Sequence, residues 1–344
     1  MPKVLVTGAA GFIGYHVCRR LAAEGYAVVG LDAMTDYYEV ALKQARLAQL
    51  ADIDFTFVQG AVETPGLLMG LFEEHRFDLV VHLAAQAGVR YSIDNPRAYL
   101  EGNIVGTFEL LEAARAFPPR HMLLASTSSA YGANTEMPYR ETMRTDHQMS
   151  FYAASKKATE AMAHSYAHLF DLPVTMFRFF TVYGPWGRPD MAPYKFTRKI
   201  LRGETIDVYN HGKMQRDFTY IDDLVEAIRA LAEAVPERGH PAGPMDSLSP
   251  VAPFRVVNIG NSSPVALMDF IAAIEAATGV EANKNFMPMQ PGDVPATWAD
   301  TALLTALAGP QHQTDIREGM ARFVDWYRDY YGINSRGTAA PEQE

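Results

Sequence analysis

Tyr152 and Lys156 stand four residues apart, and Ser126-Thr127-Ser128-Ser129 lie about one strand-to-helix connection before them. On a helix, residues four apart share a face. A phenol titrates near ~10 in water, too high for a base at neutral pH, but a fixed ammonium one turn away favours the phenolate. A tyrosine placed this way can trade a proton with a substrate hydroxyl. The bland alternative is a solvated lysine lying on a half-buried tyrosine. The same spacing recurs at Tyr209 and Lys213, where Asn210 and Gly212 read as a turn. Residues 153–163, rich in Ala, Lys, Glu and Met, predict a helix for the first copy only.

Something must hold a reactant beside that pair, and three glycines point to it. Lys3-Val4-Leu5-Val6-Thr7 reads as a buried strand, Gly8-Ala9-Ala10-Gly11-Phe12-Ile13-Gly14 as a turn entering a helix, and residues 27–31 as a second strand ending at Asp32. Strand, glycine turn, helix, strand and acid form one dinucleotide-binding unit, here spaced GxxGxxG. Glycines let backbone amides approach a pyrophosphate at a helix N-terminus with no Cβ in the way. Asp32 would accept hydrogen bonds from an adenosine ribose and repel a 2′-phosphate, favouring NAD over NADP. A tight packing turn is the structural alternative.

Strand-like runs at 55–58, 79–83, 121–125 and 174–179 alternate with helical patterns at 65–74 and 96–116. The alternation predicts an α/β fold with a doubly wound, Rossmann-type, mostly parallel sheet. Ligands of such sheets collect at the carboxyl ends of the strands, where Ala84-Ala85-Gln86, Ser126 to Ser129 and Thr181-Val182-Tyr183-Gly184-Pro185 fall. Composition changes near residue 180. We expect an NAD-binding domain at 1–180, to which later segments return, a smaller α/β substrate lobe mainly within 181–334, and a disordered tail at 335–344. The Pro-rich stretch 236–253 is expected to be an exposed loop or insertion.

The 30 Lys and Arg are outnumbered by 40 Asp and Glu, giving a net charge of −10. Nucleic acid and anionic membranes are bound through excess cations, so neither is expected as a partner. No apolar run is long enough to span lipid, and no cleavable leader is expected before the first strand. Cys18 is the single cysteine, which excludes a disulfide framework and suggests a cytoplasmic location. His164 and His168 are spaced like metal ligands, but no third ligand or HExxH glutamate accompanies them, so no metal is expected.

Together, Gly8, Gly11, Gly14, Asp32, Thr127, Tyr152 and Lys156 resemble the extended short-chain dehydrogenase/reductase superfamily over nearly the whole chain. The resemblance implies that Thr127 hydrogen-bonds the reacting oxygen, that Tyr152 is the acid/base, and that Lys156 holds the nicotinamide ribose and lowers the Tyr152 pKa. It also implies Phe12, Ile13, Val62, Leu83, Ala84, Ala85 and Asn103 on the cofactor side, and a homodimer through the helices following Tyr152 and around Asn103. The runs from His82 to Ser92, Arg178 to Met191 and Lys213 to Asp223 narrow this to a likeness with UDP-glucuronate 4-epimerases. By that likeness Arg216 binds the diphosphate of a UDP-sugar, Asp293 the uridine ribose, and Arg90 and Gln215 further parts of the substrate. Ser128, Ser129, Thr181 and Arg188 are then placed to receive a sugar carboxylate; for Arg188 the alternative is a cation bracing its own loop.

The implied reaction removes a proton and a hydride from C4 of UDP-glucuronate and returns the hydride to the opposite face, giving UDP-galacturonate and regenerating NAD. The transient C4 ketone makes the C5 carboxylate a β-keto acid, prone to lose CO₂. Related UDP-xylose-forming decarboxylases carry Glu where Ser129 stands, and the 4,6-dehydratases Asp-Glu where Ser128-Ser129 stand; here both are hydroxyls, without the second acid/base. A non-catalytic NAD sensor on the same fold would have no reason to keep Tyr152 and Lys156. One departure concerns the cofactor: the family's usual Asp after the third strand, directed at the adenine, is Ala61 here, the loss of one hydrogen bond worth ~1 kcal/mol.

Overall fold

The computed structural model describes residues 1–289 and 294–333, so Asp293 and the tail expected at 335–344 lie outside the described residues. The strands are β1 Lys3–Thr7, β2 Ala27–Asp32, β3 Phe55–Gln59, β4 Leu79–His82, β5 His121–Ala125 and β6 Val174–Phe179. They continue with β7 Thr181–Tyr183, β8 Ile206–Val208, β9 Gln215–Tyr220, β10 Phe254–Ile259, β11 Pro264–Ala266, β12 Lys284–Phe286 and β13 Ala296–Thr297. Seven of them form one sheet in the order β10-β6-β5-β4-β1-β2-β3, and every pairing in it is parallel. Every residue of β4 and β5 is buried, as a parallel sheet with helices on both faces requires. The strand order turns back between β1 and β4, the point at which a ligand cleft opens in such sheets.

β10 comes from beyond residue 250 and hydrogen-bonds β6 along its length. A second sheet gathers on β9, which pairs with β7 and β13 in parallel and with β11 antiparallel, while β8 and β12 form a separate parallel pair. Among the described residues, no helix is long and apolar enough to cross a membrane.

Two helices carry the local chemistry. The helix Phe151–Phe170 starts at Ser150, whose hydroxyl accepts the Ala153 N–H at 3.1 Å, and stops where Asp171 turns left-handed at φ 55°. The helical pattern at 96–116 is interrupted: Pro96–Tyr99 and Gly106–Ala116 are α-helical, and Leu100–Val105 between them is a π-helical turn. The second Tyr/Lys pair lies in a tight turn, Tyr209–Gly212, with Asn210 and His211 left-handed.

The Pro-rich stretch 236–253 does more than an exposed loop would. Its Asp246 side chain is buried and ion-pairs with Arg255 of β10 at 2.9 Å. The Ser247 hydroxyl accepts the Val256 N–H at 2.9 Å and donates to the Val256 carbonyl, and Ser249 N–H reaches the Phe254 carbonyl at 2.8 Å. The first half of the free side of this edge strand is thereby covered, and beyond it Glu141 accepts the Asn258 N–H at 2.8 Å, which blunts a site for pairing with foreign strands. His164 and His168 hold the same stretch, through the Ser249 hydroxyl and the Val251 carbonyl, each at 2.8 Å. No cluster of metal-ligating side chains occurs among the described residues.

Candidate active site

A cleft of about 360 Å³ opens at the carboxyl ends of β1, β2, β4 and β5. Gly8, Gly11, Phe12, Ile13, Gly14, Asp32, Val62, Leu83, Ala84 and Ala85 line one end of it, and Ala125, Ser126, Tyr152, Lys156 and Arg188 the other. The glycine turn is tight: Gly8 has φ +73°, and a Cβ on Gly14 would sit 2.0 Å from the Gly8 carbonyl oxygen. The helix Phe12–Ala23 begins at Gly11 without a side-chain cap, so its first amides are left for an anion. Asp32 is fixed by N–H groups of Ala10 at 3.1 Å and Met34 at 2.8 Å. A glycine cradle that any Cβ would fill, a helix N-terminus and an acid at the end of β2 fit a dinucleotide with free ribose hydroxyls.

Tyr152 and Lys156 both face this cleft, as their helical spacing predicts. The Thr127 hydroxyl lies beside the Tyr152 phenol and favours its ionised form; it accepts the Ser129 N–H at 3.1 Å, capping the short turn Ser128–Tyr131. Lys156 is buried, donates to the Ala125 carbonyl at 2.9 Å, and is brought down to about 8 by burial, with the Glu160 charge opposing. Burial raises the phenol, and the Thr127 hydroxyl and the Arg188 guanidinium pull it back.

Arg188 lines the cleft with Tyr152 and ion-pairs with Asp190 of its own loop at 3.0 and 2.5 Å. Asp190 also accepts from the Tyr37 phenol at 3.3 Å, joining the loop after β2 to the Arg188 loop. Thr127, Ser128 and Ser129 follow Ser126 directly at the end of β5, and Thr181 opens β7 just after the cleft residue Phe179. Gln215 and Arg216 belong to β9 of the second sheet, where Arg216 donates to the Gln215 carbonyl at 2.8 Å. Arg90, in the segment after β4, lies 5.7 Å from the ring of Tyr209, which follows β8. Asn103 does not line the cleft; it clamps the Gln86 backbone from the π-helical turn.

Several side chains escaped the sequence reading. Thr7 accepts the N–H groups of Leu83 and Ala84, so its own proton goes to His82 Nδ1 at 2.7 Å. His82 is therefore a neutral ring, pushed down to about 3 by burial and then by the Lys156 charge. Lys43 lines the cleft near Asp32 and donates to the Thr35 carbonyl at 2.8 Å; burial lowers it, with Asp32 opposing. Arg46, wholly buried, ties the glycine turn to the Arg188 loop through the carbonyls of Ala10 at 3.0 Å and Trp186 at 2.7 Å. No spacing rule signals such contacts, because each joins residues from separate elements. Glu63 also lines the cleft, two residues beyond Ala61.

Comparison with known proteins agrees with this geometry. Residues 4–245 match the model of the NAD dependent epimerase/dehydratase family. A probable UDP-glucuronate 4-epimerase of Rhizobium meliloti is 52% identical over 333 residues, covering 96% of this chain and 98% of that protein. UDP-glucuronate 4-epimerase 4 of Arabidopsis thaliana is 44% identical over 345 residues, covering 98% of this chain and 77% of the plant protein. The crystal structure of UDP-glucuronic acid 4-epimerase from Bacillus cereus, in complex with UDP-glucuronic acid and NAD, superposes with a TM-score of 0.84 at 31% identity, over 96% of this chain and 100% of that one. From the glycine cradle to the paired tyrosine and lysine, and along most of its length, this chain belongs to the NAD dependent epimerase/dehydratase family.

Proposed function

We propose that the protein is an NAD-dependent isomerase that inverts C4 of UDP-glucuronate to give UDP-galacturonate. The observation that carries the reading is the arrangement at one end of the cleft: a phenol beside the Thr127 hydroxyl, a buried ammonium one turn away, and hydroxyls at 128 and 129 where the rival reactions use acids. The 52% identity to a probable UDP-glucuronate 4-epimerase supports the same substrate.

Tyr152, as phenolate, takes the proton of the sugar C4 hydroxyl, and Thr127 orients the oxygen that gives it up. NAD⁺, when bound, supplies a reversible hydride acceptor on one side of that carbon. Gly8, Gly11, Gly14 and Asp32, with Phe12, Ile13, Val62, Leu83, Ala84 and Ala85 around them, hold it; Lys156 takes its nicotinamide ribose, and Asn103 steadies the Gln86 loop beside it. Arg216, with Arg90, Gln215 and Asp293, grips the UDP moiety while the 4-keto sugar turns over between the two lobes, 1–180 and 181–334. With its other face turned to the cofactor side, C4 would take back the hydride there while Tyr152 returns its proton to the C4 oxygen, which completes the inversion. Ser128, Ser129, Thr181 and Arg188 keep the C5 carboxylate out of line with the ketone π system and so suppress loss of CO₂. Incubation with UDP-glucuronate and catalytic NAD should yield UDP-galacturonate without CO₂ by NMR; UDP-xylose or a 4-keto-pentose overturns the reading in favour of a decarboxylase.

We further take the active form to be a homodimer. Leu100 and Val105 on the π-helical turn, Phe108 on the helix Gly106–Ala116 that follows it, and Phe151 and Leu169 on Phe151–Phe170 are exposed apolar side chains that a second copy would cover. Light scattering distinguishes this from a monomer. A reducing, cytoplasmic location fits the free, buried thiol of Cys18.

A further inference from the structure

Behind the catalytic pair, away from the cleft, sits a carboxylate that the reaction as described does not use. We propose that Glu160 is a positioning residue for the proton transfer, holding the Thr127 loop against the helix that carries Tyr152 and Lys156 from one buried carboxylate; this rests on the roles given above to Tyr152, Lys156 and Thr127.

Glu160 is four residues beyond Lys156 on the helix Phe151–Phe170 and only 3% exposed. Its Oε1 accepts from the Ser126 hydroxyl at 2.7 Å and from Arg178 Nε at 2.9 Å. Its Oε2 accepts from Arg178 Nη2 at 2.8 Å and from Lys157 Nζ at 3.1 Å. Three elements therefore meet on one carboxylate: the catalytic helix, the end of β5 and the strand β6. Ser126 immediately precedes Thr127, whose hydroxyl lies beside the Tyr152 phenol and favours its ionised form. Arg178 also lies over the Tyr131 ring, 4.7 Å from its centre, and Tyr131 ends the turn that Thr127 begins. Both ends of the Thr127–Tyr131 segment thus depend on Glu160, directly at Ser126 and through Arg178 at Tyr131.

The electrostatics act in the same direction. The groups facing Lys156 are the Ala125 carbonyl from β5, the neutral His82 ring from β4, and Tyr152 and Glu160 from its own helix. Glu160 is the negative charge among them, and it opposes the burial that draws the ammonium down. The groups facing Glu160 are Arg178, Lys157 and Ser126, which keep it ionised against its own burial, down to about 2. A buried ion pair is weak evidence for a stabilising role by itself. Here its geometry links the proton carrier's lysine to the loop of the hydroxyl that orients the transfer.

The test is the Glu160→Gln/Arg178→Met double variant, which removes both buried charges, beside Glu160→Asp, which keeps the negative one. NAD affinity is measured from pH 6 to 10, together with kcat and KM for UDP-glucuronate. In the double variant the alkaline limb of NAD affinity and of kcat should move about one pH unit towards neutrality. At neutral pH its kcat should fall about ten-fold or more with KM nearly unchanged. Glu160→Asp should leave the limb where the wild type has it. An unshifted limb in the folded double variant overturns the proposal. Should that variant fail to fold, Ser126→Ala decides: a lower kcat at constant KM supports the proposal, and wild-type kcat overturns it. A wild type that binds NAD but leaves UDP-glucuronate untouched refutes the epimerase reading alone, since the NAD-affinity limb is read without any sugar substrate.

Discussion

The side-chain amide of Asn103 donates to the Ser155 hydroxyl across 2.9 Å, while its other contacts take the Gln86 N–H at 2.7 Å and the Gln86 carbonyl at 3.1 Å. Ser155 passes its own proton to the Tyr152 carbonyl at 2.8 Å. One asparagine therefore joins the loop after β4 to the first turns of the catalytic helix. It lies in the π-helical turn Leu100–Val105, and such single wide turns are frequent at functional sites.

Asn103→Leu should strand the Gln86 amide and carbonyl together with the Ser155 hydroxyl. The expected loss is about 2–3 kcal/mol of stability, with weaker NAD binding. Thermal unfolding and NAD titration of the purified variant check it; an unchanged melting temperature contradicts the clamp.

Tyr152→Phe removes the hydroxyl and leaves the ring packed at 6.0 Å from Tyr99. Its kcat should drop by about 10²–10⁴-fold while NAD stays bound. Turnover by NMR and NAD content by absorbance provide the check, and undiminished turnover excludes Tyr152 as the acid/base.

Arg188→Met takes a guanidinium out of the cleft and leaves Asp190 with the Tyr37 phenol alone among the partners described above. The sugar carboxylate is then less constrained at the 4-keto stage. KM for UDP-glucuronate should rise roughly ten-fold, with a UDP-pentose and CO₂ appearing beside UDP-galacturonate. Product analysis by NMR tests this; a wild-type product pattern and KM would confine Arg188 to bracing its loop.

Two buried histidines, His82 and His121, and the half-buried His16 make the fold sensitive to mild acid. Burial pushes His16 and His121 down to about 4 and His82 to about 3. Their unfolded value is near ~6.5, so below it the unfolded chain binds protons that the folded chain refuses. Their stabilisation is full above about pH 6.5 and is lost as pH falls towards 4 and then 3, amounting to several kcal/mol in order of magnitude. Glu160, held down to about 2, adds a loss that begins only below about pH 4.3. The melting temperature should therefore decline between pH 7 and 5, the three rings together outweighing Glu141, whose carboxyl burial raises to about 7 and which acts the other way in that window; a flat profile there would contradict neutral rings.

Local chemistry determined what was legible in the sequence. The GxxGxxG turn, Asp32 at the end of β2, and Tyr152 and Lys156 on one helical face follow from spacing and backbone sterics within single elements, and the structure places them along one cleft. The alternation of buried runs and helical stretches sufficed for a parallel sheet, because a strand covered on both faces must be apolar throughout. Tertiary structure alone decided the rest. The 236–253 stretch needed β10 to become an edge before Asp246 and Ser247 had anything to cover. Arg188 acquired a carboxylate partner only in the folded loop. Glu160 met Ser126 and Arg178 across separations of 34 and 18 residues. Burial, which no spacing reveals, set the direction in which Tyr152 and Lys156 titrate, because the cost of removing a charge from water depends on everything packed around it.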